Sequence, residues 1–197
     1  MTSDRLARAL AAIDAANTDD PHRLLVRGIE RPKELAHAEL ATEWVEKLIA
    51  VPSDALRLAA RAHHLQRWVI PRSEYPLGKS NYYRWRKALQ AHHANVVGSI
   101  LEECGYDATT IARVQALVRK RGSGADDAEL QALEDALCLV FLETQLQGTA
   151  EKLENEVKAL DILRKTAKKM SPEALELAKQ LPLNPVESAL LQRALGP

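Results

Sequence analysis

Apolar side chains recur along this chain at three- and four-residue spacing, the repeat of a helix face, and period-two alternation of β-branched residues is nearly absent. Turn residues and caps punctuate the periodic stretches. They predict helices over about 3–16, 32–50, 53–66, 79–104, 107–120, 127–147, 150–170, 172–180 and 185–195. Pro32 suits a first helical turn, and Ser53 and Asp107 are N-caps. Ser171-Pro172 and Asn184-Pro185 each pair a cap with a first-turn proline, and Glu187 completes a capping-box spacing. Pro71, Pro76 and Gly78 make 69–78 a loop, and 121–127 (RGSGADD) is a second loop, too short to divide domains. One all-α domain of about nine helices over residues 1–197 follows, with no strand longer than about three residues.

Ala, Leu, Glu, Lys and Arg dominate, which supports helix throughout. Twenty-seven basic residues balance twenty-seven acidic ones, so overall charge gives no sign of duplex nucleic acid or an anionic membrane as partner. No apolar run approaches the ~20 residues of a membrane span, and the start, MTSDRLARALAAID, lacks a secretory apolar core. Cys104 and Cys138 fall in or at the end of helices, which fits a reducing compartment and a cytoplasmic protein.

Chemistry concentrates in the histidines. His37 shares a helix face with Leu40, Trp44 and Leu48, and His93 with Leu89, Val96, Val97 and Ile100, so both point inward. His92 lies nearer a border. His63 falls on the side of Leu56, Ala59 and Ala60, while His64 lies on a more polar edge with Arg57 and Arg61. The most hydrophobic stretch, LQALEDALCLVFLE (130–143), carries Asp135 on the face of Ala132, Cys138, Leu139 and Leu142, and Glu134 on that of Leu130, Leu137 and Phe141. A carboxylate buried there needs a partner. Inward histidines on separate helices beside a buried acid point to a divalent transition-metal site, with Zn, Fe, Mn, Co and Ni all compatible.

The order of these residues resembles the HD superfamily of metal-dependent phosphohydrolases, all-α proteins whose metals are held by a His, a His-Asp dyad and a distant Asp. The resemblance implies His37, His64 and Asp135 as ligands, His93 as a further ligand or general base, and Glu134 as a weaker candidate base. Leu65 stands where the dyad acid belongs, which leaves room for a single metal or a changed chemistry. The stretches HAELATEWVEKL (37–48), HLQRWVIPRSEYP (64–76), YYRWRKALQAHHA (82–94) and LEDALCLVFLE (133–143) resemble domain-of-unknown-function family 4202. That likeness runs over nearly the whole chain and implies a single domain without implying a reaction.

Arginines and aromatics crowd the segment after His64. Arg67, Arg72, Tyr75 and Arg86 are candidate substrate-binding residues, since guanidinium groups hold phosphate or carboxylate through paired donors. Arg119, Lys120 and Arg121 suit a helix C-terminus. The expected function is HD-like metal-dependent hydrolysis of a phosphorylated small molecule or nucleotide. The alternatives are a non-catalytic helical binding module with a buried His/Asp cluster, or an HD-type iron oxygenase.

Overall fold

The structure is a computed structural model that describes residues 2–122, 127–152 and 156–195. Among the described residues the chain forms nine α-helices: α1 Thr2–Asn17, α2 Lys33–Leu48, α3 Asp54–Ala62, α4 Lys79–Glu103, α5 Ala108–Val118, α6 Ala128–Lys152, α7 Glu156–Ala167, α8 Pro172–Ala178 and α9 Pro185–Leu195. The chain is all-α, as the periodicity predicts. No described helix is long and apolar enough to cross a membrane.

The caps work as read. Ser53 accepts the Leu56 N–H, Asp107 that of Thr110, and Ser171 that of Ala174. Asn184 and Glu187 exchange side-chain and backbone hydrogen bonds at 2.9 Å, a complete capping box.

Three expectations need correction. Residues 22–31 carry no element in the sequence reading, yet Arg23–Val26 (β1) and Ile29–Pro32 (β2) pair as an antiparallel hairpin. These four-residue strands exceed the expected limit. A two-residue turn joins them, with Arg27 at φ 48 and Gly28 at φ 80, both in the left-handed region that a twist-matched hairpin turn demands. Arg27 then ties the hairpin to the helices through Glu43 and Glu143. Second, α3 stops at Ala62 and not near residue 66: the Ala60 carbonyl accepts from the His63 ring, and Gln66 adopts φ 53. Third, the break expected at 147–150 is absent, and α6 runs on to Lys152. Of the 121–127 loop, residues 123–126 lie outside the described residues.

α2 packs against α6 and α3, α3 against α5, and α4 runs along α5. At Gly98, on the face of α4 toward α5, a Cβ would meet the Gln115 side chain, whose Nε2 donates to the Ala94 carbonyl at 2.9 Å. Ile13, Leu56, Leu65, Leu101, Leu117, Leu139 and Leu146 fill the core among these helices. α7 and α9 pack on each other, and α8 sits on α6. The segment 69–78 is irregular apart from 3-10 turns at Arg67–Val69 and Arg72–Glu74.

Candidate functional site

The site forms where α2 begins and α3 ends. The residue before α2 is Pro32, which offers no side-chain cap. Asp20, buried in the turn after α1, takes that role from outside: its Oδ2 accepts the Glu34 N–H at 2.8 Å and its Oδ1 accepts that of His22 at 2.9 Å. Glu34 and His37 follow at helical spacing and project from one face. Opposite them the chain leaves α3 through His63, His64, Leu65 and Gln66. The side-chain oxygen of Asn17 accepts the Gln66 N–H at 2.9 Å and holds that left-handed residue in place.

Glu34, His37 and His64 converge. One donor atom from each lies within 4.8 Å of the others. Glu34 Oε2 stands 3.0 Å from His64 Nδ1 and 3.4 Å from His37 Nδ1. Burial opposes ionisation of Glu34, but the adjoining His64 and His37 rings outweigh it and hold the carboxyl well below its ordinary range. Burial pushes His64 down to about 4 and His93 down to about 3, and it pushes His63 well below its usual value. At neutral pH the carboxylate is ionised and these three rings are neutral.

The hydrogen-bond network assigns the protons. Arg67 only donates, so His64 Nε2, 3.1 Å from its Nη1, accepts, and His64 Nδ1–H points to Glu34. His93 Nδ1–H donates to the Leu65 carbonyl at 2.6 Å, and His63 Nδ1–H to that of Ala60 at 2.8 Å. The Thr144 hydroxyl gives its proton to the Val140 carbonyl at 2.7 Å, so its oxygen accepts from His37 Nε2–H at 3.2 Å. This leaves the His37 Nδ1 lone pair facing a carboxylate oxygen, an arrangement that a proton or a metal cation satisfies. Glu34, His37 and His64 are a donor set that fits a divalent transition metal once the His64 proton moves from Nδ1 to Nε2 and Arg67 turns from that nitrogen.

His37 and His64 open onto a cavity of about 360 Å³. His37, His63, His64, His93, Arg67, Tyr82 and Arg86 line it near the histidines. Arg67 Nε also stands 3.9 Å from Glu34 Oε1, and its guanidinium lies 5.1 Å from the Trp85 ring. Arg86 donates to the Tyr82 hydroxyl at 3.3 Å.

Several expected residues lie elsewhere. Asp135 is buried, but its Oδ1 accepts from the Ser171 N–H at 2.8 Å and from Gln131 at 3.0 Å. It anchors the start of α8 and does not join the histidines. The α6 residue that meets His37 is Thr144. Leu65 points into the core, so the position of the dyad acid is also apolar. Arg72 donates to the Tyr75 and Pro76 carbonyls and staples its own loop; neither it nor Tyr75 lines the cavity. Glu134 pairs with Lys120 and lines the cavity at a distance from the histidines: ten residues of helix, about 15 Å, separate it from Thr144. Glu34 is the residue the sequence reading lacks, and its signal is the Glu-x-x-His spacing of ELAH (34–37).

A family model, the domain of unknown function DUF4202, matches residues 7–191. The chain belongs to that family. The match covers every residue of the site, from Asn17 on α1 to Thr144 on α6, so the DUF4202 domain and the pocket-bearing domain are one unit. No curated protein and no solved structure matches the chain.

Proposed function

We propose that this DUF4202 domain is a metal-dependent hydrolase of a phosphorylated small molecule. Glu34, His37 and His64 would hold one divalent ion (Zn, Fe, Mn, Co or Ni), and Arg67 and Arg86 would hold the phosphate. One observation carries the reading: both histidines of the buried Glu34 donor set line a cavity that also presents two guanidinium groups.

A bound divalent ion supplies Lewis acidity toward a phosphoryl oxygen and lowers the pKa of water. The side chains do the rest. Thr144 fixes the His37 ring from the side away from Glu34. The Leu65 carbonyl fixes His93 and leaves its Nε2 as an acceptor on a cavity wall. With burial holding it at about 3, His93 is a weak base at neutral pH, so a fourth donor is the role that suits it better than general base. Arg67 and Arg86 present donors that match a phosphate. The paired Glu134 stands too far along α6 to serve the same centre. The unpaired Cys104 and Cys138 support a cytoplasmic location, the cavity arginines support an anionic small molecule as partner, and the balanced overall charge speaks against duplex nucleic acid.

The test uses untagged protein. Metal content is measured after equilibration with Zn, Mn, Co or Fe(II), together with phosphate release from nucleoside monophosphates and simple phosphate monoesters. One bound ion and turnover, both lost in Glu34→Gln, are expected. A protein that retains no metal and releases no phosphate rejects the reading.

A second reading is a binding module without turnover. It is favoured by Arg67, which already gives Glu34 and His64 a cationic neighbour, and by the apolar Leu65. In that case Arg67→Gln abolishes ligand binding and metal has no effect on it. The same donor set is also that of mononuclear iron oxygenases, which substrate-dependent dioxygen uptake by the Fe(II) protein would reveal.

A further inference from the structure

The cavity has a second charged end that the proposed chemistry does not use. Glu134, Cys138, Phe141 and Gln145 recur at helical spacing on α6 and line the same cavity as the histidines. Glu134 and Thr144 are about 15 Å apart along the axis, and only Thr144 meets His37. Around the Glu134 end stand Lys120 and Lys169, both on the cavity wall. Lys120 forms an ion pair with Glu134, and the charges of both lysines act on the Cys138 thiol. Leu137 and Phe141, which lie between Glu134 and Thr144 along α6, and Leu89 give the cavity apolar wall.

The backbone at Lys120 is unusual. Its N–H closes α5 onto the Leu117 carbonyl at 2.8 Å, and the Arg121 N–H reaches that of Ala116 at 2.8 Å. This is the double hydrogen bond of a helix end whose left-handed residue is most often glycine. Here a lysine holds it at φ 57, although Gly122 lies two residues on. An interaction with the α5 dipole does not require a lysine at that strained position; a cation needed on the cavity wall does.

We infer that Lys120 and Lys169 form an anion subsite and that the cavity takes a two-ended ligand. Its phosphate sits at Arg67 and Arg86, an apolar stretch lies along α6, and a second acidic group, a carboxylate or phosphate, meets the lysines. This rests on the phosphate reading of the arginine end.

The test is calorimetric binding of alkyl phosphates of increasing chain length, each with and without a terminal carboxylate. At a matching length the carboxylate tightens binding roughly tenfold. Lys169→Gln, at an exposed position, lowers that gain roughly threefold. Combining it with Lys120→Gln and Glu134→Gln, a pair that leaves net charge unchanged, abolishes the gain, and circular dichroism establishes that each variant is folded. The subsite is overturned if no chain length shows a gain, or if the gain survives in the combined variant. Arg86→Gln separates the two claims. It weakens both members of every pair if phosphate binds at the arginines. If it weakens neither, the arginine end fails, while the carboxylate gain still judges the lysine end.

Discussion

Asn17, at the end of α1, accepts the backbone N–H of Gln66 at 2.9 Å, across forty-nine residues of chain. Asn17 is fully buried, and Gln66 lies two residues after His64 in a conformation that non-glycine residues rarely adopt. Asn17 therefore sets where His64 stands. Asn17→Ala is expected to lose about 1–2 kcal/mol of stability in urea unfolding and also to weaken cobalt binding at the Glu34 group. Asn184→Ala, which removes the cap of α9, is expected to lose a comparable stability with cobalt affinity unchanged. Equal cobalt affinity in both variants would reduce Asn17 to a structural residue.

Two buried carboxylates divide the work. Glu34 faces His37 and His64, while Asp135 accepts the Ser171 N–H. Glu34→Gln should abolish cobalt binding with a modest change in stability. Asp135→Leu should retain cobalt and lose about 1–3 kcal/mol, because the buried donors it served are left unpaired. Cobalt absorbance and urea unfolding on the two proteins check the assignment; the opposite pattern would restore Asp135 as a ligand.

The sequence speaks clearly about faces and caps. The 3.6-residue repeat places His37, His93 and Asp135 inward, and all three are buried. Ser53, Asp107, Ser171 and Asn184 each cap the helix expected of them. Periodicity gives a face but not a partner, so the buried Asp135 is legible and its hydrogen bond to a backbone thirty-six residues on is not. Glu34 escapes because an acid in a first helical turn is ordinary there; only its spacing to His37 sets it apart. The hairpin escapes because just one of its two turn positions is glycine, the other being Arg27. The end of α3 escapes for a similar reason: glutamine at 66 gives no stop signal, and a remote asparagine supports its left-handed backbone.

Acid should destabilise the metal-free protein. Burial lowers His64 to about 4 and His93 to about 3, while in the unfolded chain both titrate near 6.5. Between those values the unfolded state binds more protons, so stability is full above about pH 6.5 and falls as pH drops toward the folded values. Glu34, held below its ordinary range, acts in the same direction: its contribution is present above the unfolded carboxyl value and is lost as pH falls through the folded one. At pH 5, His93 alone should remove about 2 kcal/mol. Urea unfolding with a chelator at pH 7 and pH 5 measures the loss. His93→Gln should flatten the pH dependence by about that amount, and an unchanged slope would show that His93 is not held neutral by burial.

The two cysteines offer a probe of the cavity that needs no assumption about the reaction. Cys138 lines the cavity, and burial, reinforced by Glu134, pushes its thiol up to about 11 against the opposing charges of Lys120 and Lys169. Thiolate is the reactive form, so iodoacetamide at pH 8 should label the partly exposed Cys104 at least tenfold faster than Cys138. Lys120→Gln removes one of the two cations and leaves Glu134 without its partner, so the Cys138 thiol should rise further and its labelling slow again. Glu134→Gln removes the reinforcing carboxylate and should speed labelling at the same position. Peptide mass spectrometry follows both cysteines in one digest, with Cys104 as the internal reference. If Lys120→Gln speeds labelling and Glu134→Gln slows it, access and not charge governs Cys138, and the lysine end of the cavity is more open than its ion pair implies.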